Sequence, residues 1–289
     1  MTTIASRLTS AGVLLANGYF DEITQTWISI TPEAIYAGLF DEVFLAAGSI
    51  GFPGAGTYLS SANAIFNIGT PGTEWTFETW IFPETAGAIF AIGDGTQYGQ
   101  SLAIDWGYTS ANKFTVRQGD GASYPVTITT TNSYPANTWY HVAISCTATG
   151  FRGLYINGVQ DSGAMTSAPL STATQWVVNG FCDNNGIGNN GISGYMSNLR
   201  FVLGTAIYPA NFIPPYAPLV SIANTQLLLC MPNNGGIFTD SSPNNFSFSI
   251  VGTPGASGSK PFTLNTVQRQ INSGTLQVEG YFDEETGII

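Results

Sequence analysis

Charged side chains are scarce in this sequence of 289 residues. Asp, Glu, Lys and Arg make up 9% of the chain, and the 18 acidic residues outnumber the seven basic ones. The net charge of −11 would repel a phosphate backbone, so we expect no nucleic-acid partner. Helices of soluble proteins are usually rich in Lys, Glu and Arg, so the same scarcity predicts little helix.

Cysteine and long apolar runs are also rare. The three cysteines, Cys146, Cys182 and Cys230, show no CxxC spacing, and each lies in or beside a strand-like apolar run. This placement favours buried free thiols, and one disulfide with a leftover thiol is the alternative. No run approaches the ~18 apolar residues of a membrane helix, and no charged segment followed by an apolar run opens the chain. We therefore expect no membrane insertion.

Recognisable catalytic motifs are missing as well. The single histidine, His141, alternates with strand residues and has no Ser or Cys nucleophile motif beside it. Neither GxGxxG nor a P-loop lysine motif is present. Glu74 and Glu78 share a strand face, but Thr76 lies between them and no further acid accompanies them, so the paired carboxylates of a retaining glycosidase are not formed. We expect no enzymatic activity, and a glycoside hydrolase is the less favoured alternative.

Glycine, aromatic residues and small polar residues are abundant. The sequence contains 34 glycines and 13% aromatic residues, which is typical of short strands joined by many turns. The run EWTFETWIFP at 74–83 alternates strictly and carries aromatic residues on both faces, so it predicts a central strand with both faces covered. The segment 137–163 predicts one hairpin, with a turn at 150–153 and a second turn at Asn157-Gly158.

Three parts of the sequence resemble a known family. WYHVA at 139–143 followed by LYING at 154–158 resembles the paired central strands of laminin-G-like, concanavalin-like jelly rolls. TFETWIFP at 76–83 is similar to a strand of that family, and the string from 194 to 215 is similar to its closing strand and proline-rich exit. The resemblance covers about residues 48 to 262 and implies an all-β, antiparallel jelly-roll β-sandwich.

An internal repeat divides the chain into three regions. GYFDE at 18–22 is echoed by GLFDE at 38–42 and by GYFDE at 280–284. We predict an N-terminal arm at 1–44, the sandwich at 45–262 and a C-terminal arm at 263–289, both arms being short and β-rich. The repeated side chains predicted to attach these arms are Tyr19, Phe20, Asp21, Glu22, Phe40, Asp41, Glu42, Tyr281, Phe282, Asp283 and Glu284. Edge hairpins of one sheet are the alternative. Adjacent carboxylates in a strand point to opposite faces, so a catalytic or calcium role is disfavoured for them.

Aromatic and amide side chains of the sandwich form a candidate sugar site, because aromatic faces stack on pyranose rings and amides bind hydroxyl groups. The candidates are Tyr98, Asp105, Trp106, Trp176, Asn184, Asn185, Asn189 and Asn190. The alternative is that the aromatic residues fill the core. Asp183, with the amides after it, is a candidate calcium ligand, and a plain Asn-Gly turn is the alternative there. No other cofactor is expected.

The C-terminal string RQINSGTLQVEGYFDE at 269–284 resembles a segment of cyanophage-like bacteriophage virion proteins. The resemblance implies a non-enzymatic virion structural protein, a capsid decoration or tail fibre component, made in the host cytoplasm. Its expected partners are other virion proteins, further copies of itself in a homo-oligomer, and host surface glycan. A dedicated carbohydrate-binding adhesin, or lectin, is the alternative.

Overall fold

A computed structural model gives the fold of this chain. It describes residues 3–8, 14–21, 26–30, 48–62, 68, 72–149, 152–162, 173–215, 218–229 and 239–261. Contacts between Cα atoms divide the chain into two units, Ala47–Pro261 and a second that combines Met1–Ala46 with Phe262–Ile289.

The larger unit is built from strands. Those of its first half are β4 (Ser49–Pro53), β5 (Tyr58–Ser61), β6 (Trp75–Pro83), β7 (Gly87–Gly93), β8 (Gln100–Trp106), β9 (Phe114–Gln118), β10 (Val126–Thr129) and β11 (Tyr140–Cys146). Those of its second half are β12 (Arg152–Ile156), β13 (Val159–Gln160), β14 (Gln175–Val178), β15 (Phe181–Asp183), β16 (Gly186–Asn189), β17 (Ser193–Leu203), β18 (Thr225–Leu229), β19 (Ser249–Val251) and β20 (Gly255–Ser257).

Two large sheets form a sandwich. The front sheet has seven strands in the order β10-β9-β8-β7-β14-β5-β19, and the back sheet has eight, β13-β12-β11-β6-β17-β4-β20 with β18 on β17. The small hairpin β15-β16 is separate. Described strands pair antiparallel, apart from one isolated parallel bridge between Ala88 and Gly191. The predicted all-β, antiparallel jelly-roll sandwich is thus confirmed.

One hydrophobic core lies between the sheets. Phe77 of the back sheet stacks on Phe90 of the front sheet with a ring centroid distance of 4.8 Å. Both rings are fully buried, and burying a side chain of this size contributes roughly 1.5–3 kcal/mol. The sandwich is therefore held together chiefly by apolar side chains from alternate strand positions.

Strand β6 is central, as its alternation predicts. It lies between β11 and β17 in the back sheet. Trp75, Phe77 and Ile81 belong to the core, whereas Glu78 and Trp80 point to the outer face. Glu78 is nevertheless fully buried, so that part of the outer face is covered by another segment.

The central hairpin forms between β11 and β12. Its register pairs Val142 with Ile156 and continues toward the turn. Asn157 and Gly158 have φ angles of 51° and 78°, which is the left-handed pair that a type I′ turn requires, and they connect β12 to β13. Gly153 lies in β12 rather than in the predicted turn. A Cβ there would lie 2.4 Å from the ring of Tyr155, so glycine makes room for that ring.

The smaller unit contains a three-stranded antiparallel sheet of order β1-β2-β3. Its strands are β1 (Thr3–Leu8), β2 (Leu14–Asp21) and β3 (Thr26–Ile30). The first repeat copy, with Tyr19, Phe20 and Asp21, lies in the middle strand β2. Glu22, the second copy (Phe40, Asp41, Glu42) and the third (Tyr281, Phe282, Asp283, Glu284) lie outside the described residues.

Two of the cysteines are buried free thiols, Cys146 and Cys182, and Cys230 lies outside the described residues. Burial raises the pKa of the Cys182 thiol to about 11. Nowhere in the described part of the chain is there a helix with the length and hydropathy to cross a membrane.

Candidate functional site

The outer face of the front sheet carries small side chains at its centre. Ala91, Ala103 and Val177 are fully buried there, because the hairpin β15-β16 packs on them through Phe181 and Cys182. A face of larger side chains would hold the hairpin away from the sheet. The sequence thus brings the 181–190 loop onto the front sheet.

Arg117 lies beside this hairpin, on strand β9. Its side chain is 17% exposed, and Nη2 is 3.6 Å from Oδ2 of Asp105 on the neighbouring strand β8. The guanidinium carbon lies 4.9 Å from the ring centroid of Phe181 and 5.2 Å from that of Tyr124. Arg117 is therefore held between two aromatic rings, an arrangement stabilised by cation–π attraction.

Two further tyrosines extend this group. Tyr108 packs edge-on against Phe181 at 5.1 Å and is 51% exposed, while Tyr98 packs edge-on against Tyr124 at 5.3 Å. The hydroxyl of Tyr124 donates to the carbonyl of Gln97 at 2.6 Å. We call Tyr98, Tyr108, Tyr124, Phe181 and Arg117 the tyrosine cluster. It presents aromatic rings beside a cation and carboxylates on one outer surface.

Carboxylates outnumber cations around the tyrosine cluster. Burial raises the pKa of Asp105, against the opposing effects of hydrogen bonds from Thr109 and the charge of Arg117. Burial also raises the pKa of Tyr124, which Arg117 lowers and Asp183 raises. The single guanidinium thus faces carboxylates from two directions, and the surface offers no excess of positive charge.

The eight predicted sugar-site residues divide into three groups in the structure. Tyr98 belongs to the tyrosine cluster and Asp105 borders it. The four asparagines lie in or next to the hairpin on the same sheet face; they are Asn184, Asn185, Asn189 and Asn190. Trp106 and Trp176 are 3% and 0% exposed and pack in the core. These two indoles are therefore removed from the candidate set, because no ring face is available for a sugar.

Asp183, the predicted calcium ligand, holds the hairpin together. Its Oδ1 accepts hydrogen bonds from the Asn185 backbone N–H and from Nδ2 of Asn189, both at 2.9 Å. Within the described ranges no group of three or more His, Cys, Asp or Glu side chains could hold a metal ion. Calcium binding here stays a prediction.

Sequence reasoning identified Tyr98 and missed the other four members of the cluster, Arg117, Tyr108, Tyr124 and Phe181. Arg117 stands between Val116 and Gln118 in a strand whose alternate residues enter the core. An outward-facing charge in an otherwise uncharged strand was the available signal. Tyr108 and Tyr124 lie in turns after their strands, so their convergence depends on long-range packing that no local pattern encodes.

A second buried polar group lies on the outer face of the back sheet. Oε1 of Glu78 accepts hydrogen bonds from Nε and Nη2 of Arg200 at 2.8 and 2.5 Å. Its Oε2 accepts from the Tyr208 hydroxyl at 2.8 Å and lies 3.2 Å from Nε2 of His141. We call these four residues the Glu78 cluster. Burial raises the pKa of Glu78, but His141, Arg200 and Tyr208 together outweigh burial and lower it.

The covering segment, residues 204–215 and 218–222, closes over the Glu78 cluster. The Tyr208 ring stacks on Phe212 with centroids 3.6 Å apart, and Phe212 packs edge-on against His141 at 5.7 Å. Nη1 of Arg200 donates to the carbonyl of Val220 at 2.9 Å. Glu78 and His141 are thus sealed from solvent and fasten the covering segment to the sheet. Glu74, the residue before β6, accepts a hydrogen bond from the backbone N–H of residue 148.

The sandwich is similar to several solved structures. A heptameric SAP-like pentraxin from Limulus polyphemus is 20% identical, with 54% of this chain and 76% of that chain covered and a TM-score of 0.41. The mouse laminin alpha1 domains LG4-5 are 14% identical, with 59% and 45% covered and a TM-score of 0.40. The Ruminococcus gnavus IT-sialidase CBM40 is 10% identical, with 56% and 92% covered and a TM-score of 0.42. This chain spans less than half of the laminin domain pair.

The sequence itself matches a protein family. No curated protein sequence matches this chain. The Laminin G 3 family profile, described as Concanavalin A-like lectin/glucanases superfamily, matches residues 53–204. That range runs from the last residue of β4 to just past the end of β17 and exceeds half of the 289 residues. The chain therefore belongs to the Concanavalin A-like lectin/glucanases superfamily.

Proposed function

We propose that this chain is a non-enzymatic glycan-binding module carried by a bacteriophage virion structural protein. The observation that carries the glycan-binding part is the tyrosine cluster. Aromatic side chains with a few placed polar groups commonly line ligand sites, and Tyr108 offers an exposed ring with a hydroxyl. Arg117 and the hairpin asparagines supply hydrogen-bond donors close by.

The charge balance favours a neutral glycan. Nη2 of Arg117 already lies 3.6 Å from Oδ2 of Asp105, and the charge of Asp183 is close enough to raise the pKa of Tyr124. An acidic sugar would meet these carboxylates and the overall charge of −11, so its carboxylate would be repelled. We therefore expect hexose chains without acidic groups to bind best.

Buried or occupied carboxylates support a non-enzymatic role. Glu78 is fully buried beneath the covering segment, and Asp105 uses both oxygens to accept hydrogen bonds from Thr109, at 3.0 and 2.7 Å. A glycosidase needs a proton donor and a second carboxylate on opposite sides of a substrate-filled groove. Release of reducing sugar from any polysaccharide by the purified protein would contradict this part of the proposal.

A place on the virion is supported by the repeated arms. Eight positions of 12–24 match 274–286, and the first copy lies in the sheet of the smaller unit. Within the sandwich, Ser49 at the start of β4 pairs with Ser257 at the end of β20. Both connections to the arms therefore leave the sandwich beside each other. We propose that the arms attach to capsid or tail proteins and that several copies assemble.

A glycan array tests the binding function. The intact protein is applied with calcium and with a chelator, and binding of neutral glycans is expected to fall at least tenfold in Tyr108→Ala. Tenfold corresponds to about 1.4 kcal/mol. The control is Ile213→Ala, because Ile213 is 86% exposed and belongs to the covering segment. Silence of the array in both conditions, or unchanged binding by Tyr108→Ala, would refute the proposed site. Binding that requires calcium would support the cofactor prediction.

Trimming tests the virion function separately. Removal of residues 1–44 and 263–289 is expected to abolish association with phage particles while the sandwich stays folded. Attachment of the trimmed sandwich at the level of the full chain would contradict the assembly role and leave glycan binding untouched.

A further inference from the structure

A second aromatic surface lies on the outer face of the back sheet. The ring of Phe82 contacts Trp139 on one side and Tyr195 on the other, with centroids 5.6 and 5.7 Å apart. All three side chains are partly exposed. We propose that this aromatic row is a second binding site for a neutral glycan chain.

The strand register aligns the row across the sheet. Phe82 pairs with Tyr195, Tyr195 pairs with Gly51, and Gly51 pairs with Gly255 on the outermost strand β20. A Cβ at Gly51 would lie 3.3 Å from the Tyr195 ring, and no atom lies within 4 Å of a Cβ at Gly255. Side chains are therefore absent along the line that continues the row, and the surface there is open.

The aromatic row includes a partly exposed tryptophan. Among the described side chains, Trp75, Trp106 and Trp176 are buried in the core, at 0%, 3% and 0% exposure. Trp80 and Trp139 are partly exposed; Trp80 packs edge-on against His141 of the Glu78 cluster, whereas Trp139 belongs to the row. Contiguous apolar surface left open to solvent often marks a binding site, and in the row the partly exposed indole adjoins two further partly exposed rings.

Polar groups stand at the edge of the row. Glu84 is two residues beyond Phe82, and its Oε2 accepts a hydrogen bond from the Ser193 hydroxyl at 2.8 Å. The Thr85 hydroxyl accepts from the Ser193 backbone N–H at the same distance of 2.8 Å. These hydroxyls and the carboxylate can exchange hydrogen bonds with sugar hydroxyls beside the rings.

The composition of the row favours a glycan over a macromolecular partner. Among the described residues, the contacts of the row and its edge involve rings, glycines, hydroxyl groups and the Glu84 carboxylate, and none of them involves a cation that would bind a phosphate or a sugar acid. Protein interfaces bury a broader apolar core. The exposed aliphatic side chains described on this side of the sandwich lie on strand β13 at the other edge of the sheet (Val159) and in the covering segment (Ile213, Val220 and Ile222). A narrow aromatic strip with polar edges fits a linear neutral oligosaccharide.

This site rests on its own residues and not on the tyrosine cluster. The two surfaces lie on the outer faces of opposite sheets, so one module would hold two glycan chains. Two weak sites on one particle-bound module raise the effective affinity for a polysaccharide surface without further contacts. A silent glycan array would refute both sites, whereas the Tyr108 and Tyr195 variants tell the two sites apart.

Tryptophan fluorescence tests the second site directly. Cellohexaose and mannohexaose are titrated into the full chain in a Trp27→Phe background, with a hyaluronan oligosaccharide as the acidic probe. A bound neutral oligosaccharide is expected to shield Trp139 and lower acrylamide quenching, whereas hyaluronan leaves quenching unchanged. This measurement needs no variant of the site. Unchanged quenching with both neutral probes, or shielding by hyaluronan alone, would overturn the proposal.

Variants then assign the signal. Tyr195→Ala is expected to weaken the binding that shields Trp139 at least tenfold, while Tyr108→Ala leaves it unchanged. Thermal unfolding shows whether each variant remains folded. Wild-type affinity in a folded Tyr195→Ala protein would contradict the site. If shielding is lost in Tyr108→Ala and kept in Tyr195→Ala, the signal comes from the tyrosine cluster and the second site is refuted.

Discussion

The Glu78 cluster makes a quantitative prediction about stability. Glu78→Gln keeps the shape of the side chain but removes its charge. Arg200, whose side chain is 7% exposed, is then left as a buried cation without a counter-ion. Loss of one partner of a buried pair typically costs about 3–5 kcal/mol. We expect a loss of that size, which is a large part of the ~5–15 kcal/mol that stabilises a typical domain.

Urea unfolding of the full chain at neutral pH measures this loss. The midpoint should fall while the slope stays constant, because the exposed area does not change. In a thermal scan the melting temperature of the sandwich should drop by roughly 10 °C. The matched control is Glu84→Gln, since Glu84 is exposed, and its effect should stay within about 0.5 kcal/mol.

A double variant separates the charge from the shape. Glu78→Leu with Arg200→Met removes both charges, and such apolar replacements are often neutral or stabilising. The double variant should therefore recover most of the stability that Glu78→Gln loses, apart from the hydrogen bond of Tyr208. A loss below about 1 kcal/mol in Glu78→Gln, or equal losses in the single and double variants, would refute the argument that the ion pair fastens the covering segment.

The pH dependence gives an independent check. The pKa of Glu78 is lowered in the folded state from its ordinary value of 4.5. The unfolded chain therefore binds the proton more readily, so the stabilisation is complete above about pH 4.5 and is lost as the pH falls through the folded pKa. In Glu78→Gln this acid-side decrease should be smaller than in the wild type.

Three further predictions follow from other buried groups. Tyr208→Phe removes the hydroxyl that donates to Glu78 and should cost about 1–3 kcal/mol in urea unfolding, whereas Tyr195→Phe, on the partly exposed row, should cost less than about 0.5 kcal/mol. Burial raises the pKa of Asp105 above its ordinary 3.8. The wild type therefore loses stability as the pH rises from about 3.8 through the folded-state pKa, because ionised Asp105 disfavours folding. Asp105→Asn lacks this loss, so its stability relative to the wild type should increase from acid to neutral pH. A stability difference between Asp105→Asn and the wild type that stays constant across this pH range would contradict the raised pKa of Asp105. In a Cys230→Ser background, Cys146 and Cys182 should resist a thiol reagent at neutral pH, because both are buried and the pKa of Cys182 is raised to about 11. Unfolding in urea should expose both thiols to the reagent. Rapid labelling of the folded protein would contradict their burial.

Alternation within strands predicted the fold well. Trp75, Phe77 and Ile81 enter the core as the pattern of β6 requires, and Asn157-Gly158 forms the expected turn. These features depend on neighbours within a few residues, which a sequence displays directly. Alternation also places Trp106 on the same side as Ile104, so its burial could have been read from the strand itself.

The polar sites depend on contacts between distant residues. Glu78 is 122 positions from Arg200 and 130 from Tyr208, and sequence offers no local sign that a strand glutamate will be paired. The same holds for Arg117, whose ring partners come from the loop after β9 and from the hairpin strand β15. In both cases the outward position in the strand predicts a side chain exposed to solvent, but packing against distant elements removes most of it from solvent.

The outer faces of the two sheets obey one packing rule. An aromatic ring from another element packs where a strand has a small outward residue. Phe181 packs on the alanines of the front sheet, and Tyr195 packs against Gly51 on the back sheet. The Phe181 ring is buried, at 1% exposure, and Arg117 and Tyr108 pack against it. The Tyr195 ring stays partly exposed because no side chain follows it at Gly255. Small outward residues thus determine where this sandwich presents aromatic surface, so the positions of glycine and alanine are better guides to its binding surfaces than the count of aromatic residues.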